Sequence, residues 1–132
     1  MLTPLLAAAL AIQTAPESPV PATPEGNEVV TIDLLPLEHA AAARCAVAFA
    51  TVSRWQREGD ARGAGYPDIA ATGGREFFVR VMAKIMEDTG LGREDVIALT
   101  TRAADDNEAA GGAERVKAIM PACVMMKSAA GL

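Results

Sequence analysis

Two cysteines and a single histidine carry most of the reactive chemistry within reach of this chain. Cys45 and Cys123 make an even pair, which in an oxidising compartment forms one disulfide. The same two thiols with the distant His39 make a poor zinc set, because zinc takes four ligands from closely spaced pairs. His39 lacks the partners of a catalytic triad, since no serine nucleophile motif and no second histidine accompany it. Glu38-His39 reads as the solvated first turn of a helix. An acid–base enzyme would need Glu38, His39 and Glu76 gathered in one pocket. Met82, Met86, Met120, Met125 and Met126 offer thioethers suited to Cu(I). Met82 and Met86, however, sit one turn apart on an apolar stripe, where methionine is ordinary filling. Asp105-Asp106-Asn107-Glu108 lacks the alternating ligands and sixth-place glycine of a calcium loop. Gly63-Ala64-Gly65 has neither the third glycine nor the strand and helix that flank a phosphate loop. The reading therefore assigns no catalytic residue, no cofactor and no metal ligand.

The elements that would position these residues are helices. Leu37 to Glu58 follows a proline suited to a first helical turn, so a helix is expected over 36–58. Ala41, Cys45, Ala48, Phe49, Val52 and Trp55 recur at three- and four-residue spacing and make its apolar stripe. Its alanines combine high helix propensity with small volume, so a second helix can approach closely. Gly59 stops it. A second helix is expected over 75–89, with Phe77, Phe78, Val81, Met82, Ile85 and Met86 as a broad buried face, the largest of any helix. In the glycine-rich connector before it, Tyr66 and Ile69 should fold back onto the core. Leu91, Gly92, Glu94, Asp95 and Val96 spell a helix start, with Gly92 at the N-cap and Leu91 and Val96 as a hydrophobic staple. That third helix should bury Val96, Ile97 and Leu99 or Thr100. It should end near Ala104, because Asp105, Asp106 and Glu108 oppose the dipole at a helix C-terminus. The last helix runs from Ala113 toward Ala129 and should kink or restart at Pro121. Its inner face is read as Val116, Ile119, Met120, Cys123, Val124 and Met126. The fold class is all-α: a small four-helix, bundle-like domain over 36–132. A Cys45–Cys123 bridge would tie its first helix to its last.

Ahead of that domain, Leu2 to Ile12 is an apolar run too short to span a bilayer and suited to the core of a signal peptide. Ala9-Leu10-Ala11 fits the small-x-small cleavage pattern, and a cut after Ala15 is the alternative. The departure from the pattern is the missing Lys or Arg before the apolar run. Residues 1–15 are thus read as a signal peptide and 16–35 as a linker. Pro16, Pro19, Pro21 and Pro24 keep its first part extended. Val30, Ile32 and Leu34 or Leu35 should be buried as this stretch lies extended across the helices. No later segment is apolar enough to span a membrane. The chain is expected in the periplasm or secreted from a Gram-negative bacterium, and its wealth of Ala and Arg over Lys suits a GC-rich genome.

The formal charge of −5 is not spread evenly. Glu17, Glu25, Glu28 and Asp33 precede all of the basic residues, so the helical part is nearly neutral. Without a basic stripe, phosphate contacts have nothing to build on, and nucleic acid is excluded as a partner. The tight turn between the second and third helices has helix-turn-helix geometry. Yet the would-be recognition helix opens on Arg93-Glu94-Asp95, with two acids where phosphate would sit.

GREFFVRVMAKIMEDTGLGREDV (residues 74–96) and MPACVMM (residues 120–126) resemble segments of small exported helical proteins of alphaproteobacteria, sphingomonad-like ones in particular. The resemblance spans Cys45 to Cys123 and implies a helical fold with a helix-to-helix disulfide; it brings no activity and no functional residue. Function is then expected to be that of a non-enzymatic exported module for protein interaction or envelope stress, in outline like the small helical acid-stress chaperones. The alternative is a carrier of an apolar ligand or lipid, with Phe49, Trp55, Phe77, Phe78 and Met82 lining a space between helices.

Overall fold

The computed structural model describes residues 29–132. The signal peptide expected over 1–15 and the linker expected from 16, as far as residue 28, lie outside the described residues. The described chain forms four helices: α1 (Leu37–Glu58), α2 (Gly74–Thr89), α3 (Arg93–Glu108) and α4 (Gly112–Ala129). Single 3-10 turns cover Ile32–Leu34 and Ala61–Gly63, and no strand occurs among the described residues.

Alanine decides which helix lies at the centre. Ala43, Ala46, Ala48, Phe49 and Val52 of α1 are fully buried, and Val47 and Trp55 nearly so. These residues fall on every side of the helix, not on the single stripe that the spacing of Ala41 to Trp55 suggests. Small side chains let neighbours close in around the axis, so α2, α3, α4 and both 3-10 turns all pack on α1. Full burial of a side chain such as Phe49 or Val52 contributes about 1.5–3 kcal/mol. The expectation that the second helix buries the most apolar surface is corrected: α2 lies at the periphery. Phe77, Met82 and Ile85 are buried, but Met86 is 36% exposed and Val79 is 58% exposed. Phe49 meets Phe77 edge to face, with centroids 5.6 Å apart.

Helix ends follow local chemistry in most places. Pro36 occupies the N-cap of α1, one position earlier than a first-turn proline, and its carbonyl accepts from Ala40 N–H at 2.9 Å. Gly59 closes α1 at φ 69°, where a side chain would be strained. The Gly92 N-cap of α3 has its own amide bonded to the Asp95 carboxylate at 3.0 Å, and Val96 is buried beside half-buried Leu91. Ile97, expected inside, is 47% exposed.

One expectation about a helix end is overturned. α3 does not stop near Ala104 but continues to Glu108. Asn107 Nδ2 donates to buried Thr51 Oγ1 on α1 at 3.1 Å, and Glu108 is held by Arg54, Trp55 and Arg62. Those tertiary bonds outweigh the unfavourable dipole, which is worth about 0.3–1 kcal/mol per exposed charge. Of the two outcomes expected at Pro121, a kink or a restart, the restart does not occur: α4 runs unbroken from Gly112 to Ala129 with Pro121 inside it. Pro121 is exposed, as is Lys117, whose carbonyl loses its helical partner, so water can satisfy that group. On α4, Val116, Met120 and Cys123 are buried and Ile119 is half-buried, whereas Val124 faces outward at 41% exposure.

Cys45 and Cys123 form the disulfide, with Cα atoms 5.1 Å apart, and join α1 to α4 across the core. Before α1 the chain does not stay extended as expected but makes a 3-10 turn over Ile32–Leu34; Ile32 and Leu35 cap the core, while Leu34 remains 65% exposed. Ile69 is buried and Tyr66 half-buried, so the connector between α1 and α2 does return to the core.

Candidate functional site

Three helices and the segment before α1 leave one large cleft between them, about 730 Å³ in volume. α3 contributes a stripe at helical spacing: Leu99, Arg102, Ala103 and Asp106, with Asn107 beside it. α4 faces it with Arg115, Ala118 and Ile119, and α1 with Arg44 and Val47. Thr31, Ile32 and Asp33 close one end. Buried Val47, Leu99 and Ile32 give an apolar floor, and exposed Arg44, Arg102, Asp106 and Arg115 stand at the rim.

The rim's charges are unequally satisfied. Arg44 pairs with Asp33. Arg115 Nη2 donates to the main-chain carbonyl of Asp106 at 2.7 Å, which leaves its remaining donors for solvent or a ligand. Among the described residues no carboxylate lies within ion-pair distance of Arg102 or Arg115. Chemically the cleft can bind. Its lining residues include no serine, cysteine or histidine.

A second cavity of about 520 Å³ lies over the C-terminal end of α1, against the 60–70 loop. Two of its polar side chains, Gln56 and Asp60, are bonded within the protein. Gln56 Nε2 donates to the carbonyls of Gly63, Tyr66 and Pro67, and its Oε1 accepts from Ile69 N–H at 3.1 Å. Asp60 is bound by Arg62, whose hydrogen bonds draw its carboxyl down to about 2. Next to this loop, Glu108 accepts from Trp55 Nε1 at 2.7 Å, from Arg62 Nη1 at 2.9 Å and from Arg54. The Arg62 guanidinium also lies 4.5 Å from the Trp55 ring centre. Burial pushes the Glu108 carboxyl up, but the bonds from Arg54, Trp55 and Arg62 outweigh it and hold the group below its usual value. This cluster latches the end of α3 to the end of α1.

His39 is not on a solvated face. It is buried, with Nε2 3.1 Å from Asp88 Oδ2, while Lys84 Nζ reaches the other oxygen of Asp88 at 2.8 Å. The hydrogen bond from Lys84 is the main reason that the Asp88 carboxyl lies below its usual value. The three side chains clasp the start of α1 to the end of α2. Glu38 and Glu76 are exposed, and neither they nor His39 line either cavity.

The residues read as an apolar-ligand lining are packed into the core itself. Phe49, Trp55, Phe77 and Met82 are buried and Phe78 is half-buried against them, and none of the five lines either cavity. Among the described residues, no cluster of histidine, cysteine and carboxylate side chains has the makings of a metal site, and no helix is long and apolar enough to cross a membrane. Sequence reasoning missed the cleft. The signal it left is the 99–102–103–106 stripe, which mixes apolar and charged residues on one side of α3.

No protein-family model, no curated protein and no solved structure matches this chain.

Proposed function

We propose that the protein is a non-enzymatic exported module that holds a partner protein in the cleft between α1, α3 and α4. The observation that carries the proposal is the cleft's construction: an apolar floor edged by guanidinium groups with unspent donors. An interface of this kind gains from burying the floor and from directing charge at the rim. The buried disulfide suits an oxidising compartment such as the periplasm and makes the helical frame around the cleft rigid. An envelope-stress role is the same reading with a partially unfolded client as the partner.

A photo-crosslinking residue at Ala118, within the cleft, tests this in the protein's own host, with exposed Ala83 on α2 as the control position. The expected result is a defined partner captured from Ala118 and not from Ala83, with its yield reduced by Arg102→Glu. Equal capture at the two positions would remove the proposal.

A second reading, a carrier of a small apolar ligand, draws support from the cleft's volume, which falls within the small-molecule range of roughly 300–1,000 Å³. Native mass spectrometry of the protein purified from its host distinguishes the two: a carrier shows a bound small-molecule mass, and a protein-binding module does not.

A further inference from the structure

We infer that the cleft selects a peptide segment of its partner in which carboxylate side chains alternate with apolar ones. This rests on the protein-binding reading above and specifies the partner's chemistry. Arg44 is already matched by Asp33, so the charge available to a ligand comes from Arg102, Arg115 and Asp106. That remainder is positive. Arg102 has its whole donor fork unspent among the described residues, and Arg115 has spent one nitrogen on the Asp106 carbonyl. A guanidinium fork matches a carboxylate with two parallel bonds, a geometry that a lysine-bearing segment cannot offer in return.

The walls favour a peptide over an acyl chain. Apolar Leu99 and Ala103 are interleaved along α3 with Arg102 and Asp106, so a hydrocarbon filling the cleft to its rim would cover these charged groups without offering them partners. A peptide backbone brings its own donors and acceptors for them. Apolar side chains two residues apart on that segment would meet Leu99 and Val47, while the intervening carboxylates reach the rim.

The test uses the full chain with its disulfide intact, and fluorescence anisotropy of two labelled peptides. One alternates leucine with aspartate and glutamate, and the other is identical with lysine in place of the acids. Binding of the acidic peptide at least about tenfold tighter is expected. Arg102→Glu should abolish that preference, and circular dichroism of this exposed-site variant should match the parent. Raised salt should weaken acidic-peptide binding in the parent more than in the variant. Equal affinity for the two peptides, binding of neither, or displacement of the acidic peptide by dodecanoate at lower concentration than by its unlabelled copy would each overturn the inference. Should the crosslink at Ala118 capture a partner through a basic or uncharged segment, the inference fails while the protein-binding reading stands. Loss of position-dependent capture removes both.

Discussion

Replacing both cysteines, Cys45→Ala with Cys123→Ala, opens the staple between α1 and α4, and its cost follows from loop length. The bridge joins residues 78 apart in sequence. Closing a loop of that size removes enough freedom from the unfolded chain to stabilise the fold by about 4.5 kcal/mol in the chain-entropy model. Residual structure in the unfolded chain lowers this figure. Loss of two buried sulfurs adds to it, by about 1 kcal/mol. A net loss of about 4 kcal/mol is a large share of the 5–15 kcal/mol typical of a domain, and should lower Tm by roughly 20 °C. Trp55 makes the measurement simple. It is the only tryptophan in the chain, is 1% exposed and donates to Glu108, so its emission reports unfolding in urea. The variant should also show a larger m-value, because its unfolded chain is less compact without the cross-link. A loss below about 1 kcal/mol with an unchanged m-value would refute the reasoning, since the unfolded chain would then gain nothing from release of the bridge.

Three further variants probe the packing and the latch. Glu108→Gln leaves a weaker acceptor for Arg54, Trp55 and Arg62 and should cost about 1–2 kcal/mol in the same urea assay, since the side chain is partly exposed. Because the folded-state Glu108 carboxyl titrates below its usual value of 4.5, its contribution is complete above that pH and is lost as pH falls through the lowered value. Below pH 4.5 the parent should therefore lose stability more steeply than Glu108→Gln, as read by acid titration of Trp55 emission. Ala46→Leu adds volume at a fully buried position on α1 and should cost about 1–3 kcal/mol, measured as a fall in Tm. Gly112→Ala would place a methyl group 2.1 Å from the Asn107 carbonyl oxygen, so the α3–α4 turn must open, and the expected cost is about 2 kcal/mol or more in urea.

What could be read in advance divides along local and tertiary lines. The four helices, the Gly59 stop and the Gly92 N-cap are local chemistry, and each was legible from a few neighbouring residues. The disulfide was legible from the cysteine count, because two cysteines allow only one pairing within the chain. Centrality was not. α2 has the larger apolar side chains, yet a helix of alanines takes the middle because its size, not its hydrophobicity, determines how many neighbours fit around it. The end of α3 was misread for a related reason. The dipole rule is local, whereas Arg54, Trp55 and Arg62 reach Glu108 from far along the chain. His39 looked solvated because its partners, Asp88 and Lys84, belong to another helix. The cleft follows the same pattern. Its α3 stripe is visible in the sequence, but only the arrival of α4 and residues 31–33 turns that stripe into one wall of a cavity.

The central claim is an exported helical module stapled by one disulfide, and intact-mass measurement of the protein taken from its own host, without added reductant, tests it in one spectrum. The account predicts a chain that begins after Ala11 or Ala15, two hydrogens lighter than the sum of its residues and unreactive to thiol label when denatured. A chain that still begins at Met1 and takes up two thiol labels would contradict both the address and the staple.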